Sequence, residues 1–284
     1  MNAPTQDIPI LYEDDNYIIF NKPAGLVVHS DGRTEEPTLA DWLIKNRPEM
    51  KDVGEPLISS SSESGEPGKK ILRPGIVHRL DRETSGAIVV AKNADAFADL
   101  KLKFQNREVV KKYHAFVYGH IKEDDGTISR PIGRSKNDFR KWSAQRGARG
   151  EMREAITNYK TLVRGNDVTK NGGRGENATG ENATFVEVEP RTGRTHQIRV
   201  HFKAIHHPVV ADSLYAPNQL AILGFKRLAL HAVSISFVGL GGENDGKLGG
   251  EFGGLSGKGK ISADAPYPAD FVRAIELIKK SVKS

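Results

Sequence analysis

No cysteine occurs among the 284 residues. That absence removes disulfides, thiolate nucleophiles and every Cys-ligated zinc or iron–sulfur site, so any nucleophile in the chain is an oxygen or a nitrogen. Long apolar runs are missing too: none approaches the ~20 residues that a membrane-spanning helix needs. Aromatics are 7% and hydrophobic residues 37%, a composition that suits a soluble globular protein. The opening MNAPTQDIPILYEDD has no basic stretch leading into an apolar one, the pattern of a secretory leader. A cytoplasmic protein with no membrane partner is expected. The length is ample for a hydrophobic core, which excludes a mini-protein held by staples.

Positive charge is present, and its placement says more than its total. The net charge is only +6, yet residues 101–153 hold 14 Lys/Arg against 6 Asp/Glu, so the rest of the chain is slightly acidic. Within that belt, RSKNDFRKWSAQRGARGEMR (134–153) carries seven basic and two acidic residues, with Phe139 and Trp142 between them. A solvated loop is one reading. The other is a polyanion grip through Arg140, Lys141, Arg146 and Arg149, with aromatic rings available for stacking.

From Ile8, PILYEDDNYIIFNKPAGLVVHS predicts two or three strands in succession, interrupted by Asp-Asp-Asn and by a Pro-Ala-Gly turn. Thr38 is placed to cap a helix through Ile44 that ends near Pro48. Strands are expected over 86–92, 109–119, 155–163, 184–190 and 227–238, and apolar residues at 96, 97, 100 and 104 place a helix over 94–106. Further helices are expected through HQIRVHFKAI and the amphipathic FVRAIELIKKSV. Strands and helices mix without regular alternation, which predicts an α+β fold around a large, mostly antiparallel mixed β-sheet flanked by helices. A single domain over 8–284 follows a disordered 1–7. Three polar stretches read as flexible insertions: 51–70, 165–183, and 239–259 with 10 Gly in 21 residues.

The stretch PGIVHRLDRETSGAIVVAKN (74–93) concentrates the chemistry. Asp81 lies between Arg79 and Arg82 in a polar turn directly before a buried strand, where side chains project from the edge of a rigid sheet. A carboxylate there can be a nucleophile or a base. The bland alternative is a solvated Asp81–Arg82 pair of little consequence followed by a Thr84-Ser85-Gly86 turn. His78, His196, His201, His206 and His207 invite a metal reading, but the Glu-bearing spacing of a helical zinc motif is absent. Satisfied structural histidines are expected, and no metal.

HRLDRETSG closely resembles the active-site motif of the RluA-type pseudouridine synthases, which isomerise uridine in ribosomal and transfer RNA. The likeness continues through YEDDNYIIFNKPAGLVVHS, KKYHAFVYG, RTGRTHQIRVHF, ADSLYA, RLALHA and PYPADF, in order, over about residues 8–273 outside the insertions. It implies a cofactor-free enzyme with a central active-site cleft, in which Asp81 is the nucleophile. By the same resemblance Arg79 fills the gap left by a flipped nucleotide, Tyr113 packs against the flipped base, and Arg194 pairs with the catalytic carboxylate. Ile198 and Leu228 match apolar walls, and His78 and Thr84 flank the substrate. Burial beside a base raises a carboxylate pKa, and a bidentate guanidinium counteracts that, which gives Arg194 its reason.

Competing readings exist for several of these residues. Tyr113 is also a plausible core aromatic, and Arg194 and Arg199 are also plausible phosphate ligands. The implied partner is RNA, ribosomal first and transfer RNA second, with no DNA, and the protein is expected to be a monomer. The S4 RNA-binding module carried by many relatives is not expected, since only seven residues precede Ile8. Two other classes compete: a catalytically silent RNA-binding or ribosome-assembly factor on the same fold, and a glycosidase using Asp81. The latter lacks an evident partner acid.

Overall fold

The computed structural model describes residues 7–30, 36–58, 70–145, 148–166, 181–240, 253–255 and 259–283. Arg146, most of the three polar stretches and residues 1–6 lie outside them. In chain order the first elements are β1 (Ile10–Glu13), β2 (Tyr17–Lys22), α1 (Leu39–Asn46), β3 (Leu57–Ile58), β4 (Lys70–Ile71), β5 (Ser85–Ala91) and α2 (Ala94–Gln105). Next come β6 (Val110–Tyr118), β7 (Asp125–Ser129), β8 (Ile132–Arg134), β9 (Trp142–Ser143), β10 (Arg149–Arg153), β11 (Ile156–Asn166) and β12 (Asn182–Pro190). The chain ends with α3 (Gln197–Ala204), β13 (Leu230–Val238), β14 (Gly253–Leu255), β15 (Lys260–Asp264) and α4 (Ala269–Lys283). These elements fall into two compact units, Met1–Val110 with Ser234–Pro266, and Lys111–Val233 with Tyr267–Ser284.

In the first unit β2 pairs antiparallel with β1 and with β5, in a register that sets Tyr17 opposite Ala91 and Lys22 opposite Gly86. All seven residues of β5 are buried, the expected fate of a continuous apolar run covered on both faces. Helix α1 begins with a capping box, in which Asp41 N–H donates to Thr38 Oγ1 (3.1 Å) and Thr38 N–H to the Asp41 carboxylate (3.0 Å). Asn93 caps α2 by accepting from Ala96 N–H (2.9 Å). That helix then lays Ala96, Phe97 and Leu100 on a core shared with Tyr17, Ile19, Val89, Phe237 and Ile261. Ordered chain reaches into the polar 51–70 stretch, where β3 pairs with β4 and a Cβ on Gly54 would lie 2.6 Å from the Phe97 ring.

In the second unit β6, β12, β11 and β7 pair antiparallel in that order, with Tyr113 opposite Val188 and Thr157 opposite Pro190. A separate small sheet runs β10–β8–β9. Helix α4 turns Phe271, Ala274 and Ile278 inward, all fully buried, at the i, i+3, i+7 spacing of one helical face. The α+β class and the antiparallel pairing expected from the sequence are present in each unit.

Buried His201 carries a pH dependence. Its Nε2 donates to the Arg130 carbonyl (2.9 Å), which leaves Nδ1 to accept from the Thr157 hydroxyl (2.8 Å). Burial pushes its pKa below the ordinary value, so the unfolded chain binds the extra proton first. Stability is therefore full above ~6.5, the ordinary imidazole value, and is lost as pH falls from there towards the lowered folded value. Denaturant midpoints at pH 7.5 and 5.5 are expected to show that loss, and His201→Gln is expected to reduce it. An unchanged pH difference in the variant would remove His201 from this account.

Candidate active site

The loop that carries Asp81 belongs to the first unit, and backbone geometry fixes its start. Gly75 has φ +62, its N–H donates to the Val53 carbonyl (2.8 Å), and its carbonyl accepts from Ala91 N–H (3.0 Å). A Cβ at this position would sit 1.9 Å from the Ala91 oxygen, so only glycine lets the loop approach β5 this closely. His78 Nε2 accepts from Val89 N–H (3.1 Å) and its ring stacks on Phe104 at 4.5 Å. Leu80 is then buried, Asp81 half-buried and Arg79 exposed. A turn follows, with Thr84 N–H donating to the Asp81 carbonyl (3.1 Å).

One backbone hydrogen bond and one buried side chain tie this loop to the Asn-Lys-Pro-Ala-Gly turn. Gly25 N–H donates to the Arg82 carbonyl (2.8 Å). Fully buried Lys22 donates from Nζ to three carbonyls, of Pro23 and Leu26 (2.8 Å each) and of Arg82 (3.1 Å). The guanidinium of Arg82 turns to Glu36 (3.2 Å) and Glu83 (3.6 Å). Thr84 Oγ1 is buried and has no hydrogen-bond partner among the described residues, which costs ~1–3 kcal/mol unless something else satisfies it.

Tyr113, Arg194, Ile198 and Leu228 belong to the second unit. Tyr113 is buried on β6, on the face that also carries Lys111 two residues earlier. Burial pushes the Lys111 ammonium down to about 8, with Arg191 adding to the shift and Glu189 opposing it. Arg194 is half-buried at the entrance of α3, and its Nε donates to the Glu154 carbonyl (3.0 Å). Buried Gln197 organises this entrance. Its Oε1 accepts from Arg194 N–H (3.0 Å) and from the Thr192 hydroxyl (2.7 Å), while its amide donates to the Ile156 carbonyl (3.0 Å) and Thr157 Oγ1 (2.9 Å). His196, between them, takes the left-handed conformation at φ 55 and shares a hydrogen bond with the Tyr215 hydroxyl (2.9 Å), a strained non-glycine of the kind that gathers at functional sites. Ile198 and Leu228 are buried.

Lys22 and Gln197 are the residues that sequence reasoning missed, although each lies inside a quoted motif. The reading of Arg199 as a phosphate ligand is overturned. Its guanidinium makes a bidentate pair with buried Asp212 (2.8 Å twice) and lies 5.0 Å from the centre of the Tyr215 ring. In the basic belt Arg140 is likewise engaged, gripping the Asp138 carboxylate through Nε (3.0 Å) and Nη2 (2.9 Å), and Lys141 lies 3.6 Å from the same group. Arg149 is exposed on β10.

Comparison with known proteins places this loop, strand and helix entrance in one family. The RNA pseudouridylate synthase family matches residues 16–204, a span that contains Asp81, Tyr113, Arg194 and Ile198. An uncharacterized RNA pseudouridine synthase of Bacillus subtilis, YlyB, is 34% identical over 98% of this chain and 75% of its own length. Ribosomal large subunit pseudouridine synthase D of Xanthomonas campestris is 32% identical over 98% of this chain and 72% of its own. The corresponding protein of Zymomonas mobilis is 34% identical over 84% and 67%. Among solved structures, human RNA pseudouridylate synthase domain containing 1 has the same fold, with a TM-score of 0.61 at 24% identity over 98% of this chain and 97% of that one. A carboxylate loop clamped by a buried lysine and a guanidinium held at a helix entrance thus occur within a stretch that matches as a whole, and the chain belongs to the RNA pseudouridylate synthase family.

Proposed function

We propose that this protein isomerises specific uridines in RNA to pseudouridine, ribosomal RNA of the large subunit first, with Asp81 as nucleophile on a base taken out of its stack. The observation that carries the proposal is Asp81 itself, half-buried on a loop whose backbone is clamped by Lys22 and Gly25, inside the span that matches the family. The relatives named for the large ribosomal subunit support the choice of RNA. The reaction breaks the N1–C1′ bond, turns the uracil while it stays enclosed, and forms the C5–C1′ bond, with loss of the C5 proton and return of a proton to N1. It needs neither electrons nor a second substrate. Attack on the uracil ring and attack on the anomeric carbon use the same groups. Tyr113 is suited to pack against the uracil, Ile198 and Leu228 to wall it, and Arg194 to keep Asp81 ionised. Arg79, exposed two residues before the nucleophile, is suited to occupy the gap in the RNA stack.

Because the C5 hydrogen leaves, RNA transcribed with tritium at C5 of uridine releases label in proportion to product. Large-subunit ribosomal RNA lacking modification is expected to release label at one or a few positions. Binding of that RNA and of transfer RNA without any release would overturn the proposal in favour of a silent binding factor.

Gln197 provides a second test as a positioning residue. Gln197→Met keeps the volume and removes four hydrogen bonds that hold the Arg194 entrance. Each buried group left unpaired costs ~1–3 kcal/mol. The single-turnover rate is expected to fall more than about tenfold with RNA affinity nearly unchanged. A rate within twofold of wild type would show that Arg194 is positioned without Gln197.

A further inference from the structure

The turn Ser135–Lys141, between β8 and β9, is held by its own polar groups. Ser135 N–H donates to the Lys141 carbonyl (3.0 Å), Lys141 N–H to the Asp138 carbonyl (3.0 Å), and Asn137 N–H to Ser135 Oγ (3.3 Å). The Asp138 carboxylate accepts from the Arg140 backbone (3.0 Å) as well as from its guanidinium, and those bonds hold its carboxyl well below the usual range, at about 2. Arg134 donates from Nη1 to the Phe139 carbonyl (3.0 Å) while its guanidinium carbon lies 4.5 Å from the centre of the Trp142 ring. All of these contacts fix backbone or side chains around Phe139, and its own ring is left 74% exposed.

The turn stands on a firm base. Trp142 and Ala144 pack with Ile132, Ala155, Tyr215 and Val200 of α3. Trp142 N–H donates to the Tyr215 hydroxyl (2.9 Å), the same hydroxyl that meets His196 at the Arg194 entrance. The same turn and small sheet carry positive charge. Lys136 is in the turn, and Arg149 lies opposite Arg134 in the small sheet. Neither has an ion pair among the described residues, whereas Arg140 and Lys141 share Asp138. A turn so held presents an uncovered ring on an arm whose Lys136 and Arg149 have no ion pair among the described residues, and so has the two properties by which proteins hold single-stranded RNA, a stacking plane and counter-charge for the backbone.

We propose that the Phe139 ring is a stacking platform for an unpaired base of the RNA substrate, with Lys136 and Arg149 on the adjoining phosphates. The proposal rests on the reading of the protein as an RNA-modifying enzyme and names the substrate feature that this arm selects, an unpaired nucleotide outside the reacting uridine. It also moves the electrostatic weight of the belt from Arg140 and Lys141 to Lys136 and Arg149.

The test uses the full chain and a 12-nucleotide single-stranded RNA carrying one 2-aminopurine, with the fully paired duplex of the same sequence beside it. Stacking should quench the probe in wild type. Phe139→Ala and Phe139→Leu are expected to bind the single strand about tenfold more weakly with an unchanged salt slope, and Phe139→Trp is expected to match wild type. Lys136→Gln and Arg149→Gln should each flatten the plot of log affinity against log salt by about 0.7. Duplex binding should change less than twofold in the Phe139 variants. The exposed ring supports no core, so circular dichroism should be unaltered. Single-strand binding by Phe139→Ala within twofold of wild type would overturn the proposal. So would a ring needed for a protein partner and not for naked RNA. Tritium release by wild type is measured separately, so failure of the isomerase reading and failure of the stacking reading are told apart.

Discussion

Asp81→Asn is expected to abolish tritium release, by roughly a thousandfold or more, while RNA affinity stays within twofold of wild type. The substitution is nearly isosteric and keeps hydrogen-bonding capacity, so the turn from Asp81 to Thr84, which is made by backbone groups, has no reason to change. What disappears is the charge that makes the side chain a nucleophile. Asp81→Glu sharpens the test. It restores the charge but displaces the carboxylate by one methylene, and a misplacement of ~1 Å at a reacting centre costs about a hundredfold. A residue that acted only as an electrostatic stabiliser would tolerate glutamate far better than asparagine. In single-turnover assays Asp81→Asn should give product formation close to background and Asp81→Glu a rate about a hundredfold below wild type. Appreciable turnover by Asp81→Asn would remove Asp81 from the chemistry and reopen the reading in which it is a surface ion.

Where local signals were strong, the fold was legible from the chain alone. Residues 86–91 of the run 86–92 fell in a strand, Ser85–Ala91, buried along its whole length, the Thr38 cap opened a helix, and the apolar positions 96, 97 and 100 turned inward. What escaped was structure held by distant partners. Strand β10, Arg-Gly-Glu-Met-Arg, is exposed at every position and shows no alternation; it exists because β8 pairs with it and Trp142 packs on Tyr215 and Val200. Gly253–Leu255 lies in a stretch expected to be all loop, yet pairs with β15, a strand formed against the residue preferences of its own sequence.

The site divides along the same line. Asp81, Tyr113 and Arg194 are the residues a motif displays. Lys22 and Gln197 work through buried hydrogen bonds to backbone groups 60 and 41 residues away, and Arg199 finds in Asp212, 13 residues on, a partner that no local pattern announces.

Lys22→Met is expected to be the most damaging change outside the residues assigned to the chemistry. Three carbonyl oxygens converge on one buried ammonium, which uses all three donors a lysine has. Methionine fills the same aliphatic volume and supplies none of them, leaving the Pro23 and Leu26 carbonyls dry at ~1–3 kcal/mol each and the Arg82 carbonyl with the Gly25 N–H alone, a large part of the ~5–15 kcal/mol that holds a domain together. One of those acceptors is the Arg82 carbonyl, directly after Asp81, so the loss falls on the position of the nucleophile as well as on stability. Arginine should not rescue it, because a planar fork cannot replace a point charge aimed at three converging oxygens. The rate on RNA is expected to fall more than about a hundredfold. Amide exchange should quicken across 76–86 while 112–118, on β6 of the other unit, stays protected, a contrast that separates a released loop from general unfolding. A Lys22→Met protein with near wild-type turnover and unchanged exchange at 76–86 would show that the Asp81 loop holds its shape without the clamp, and the positioning role of Lys22 would fall.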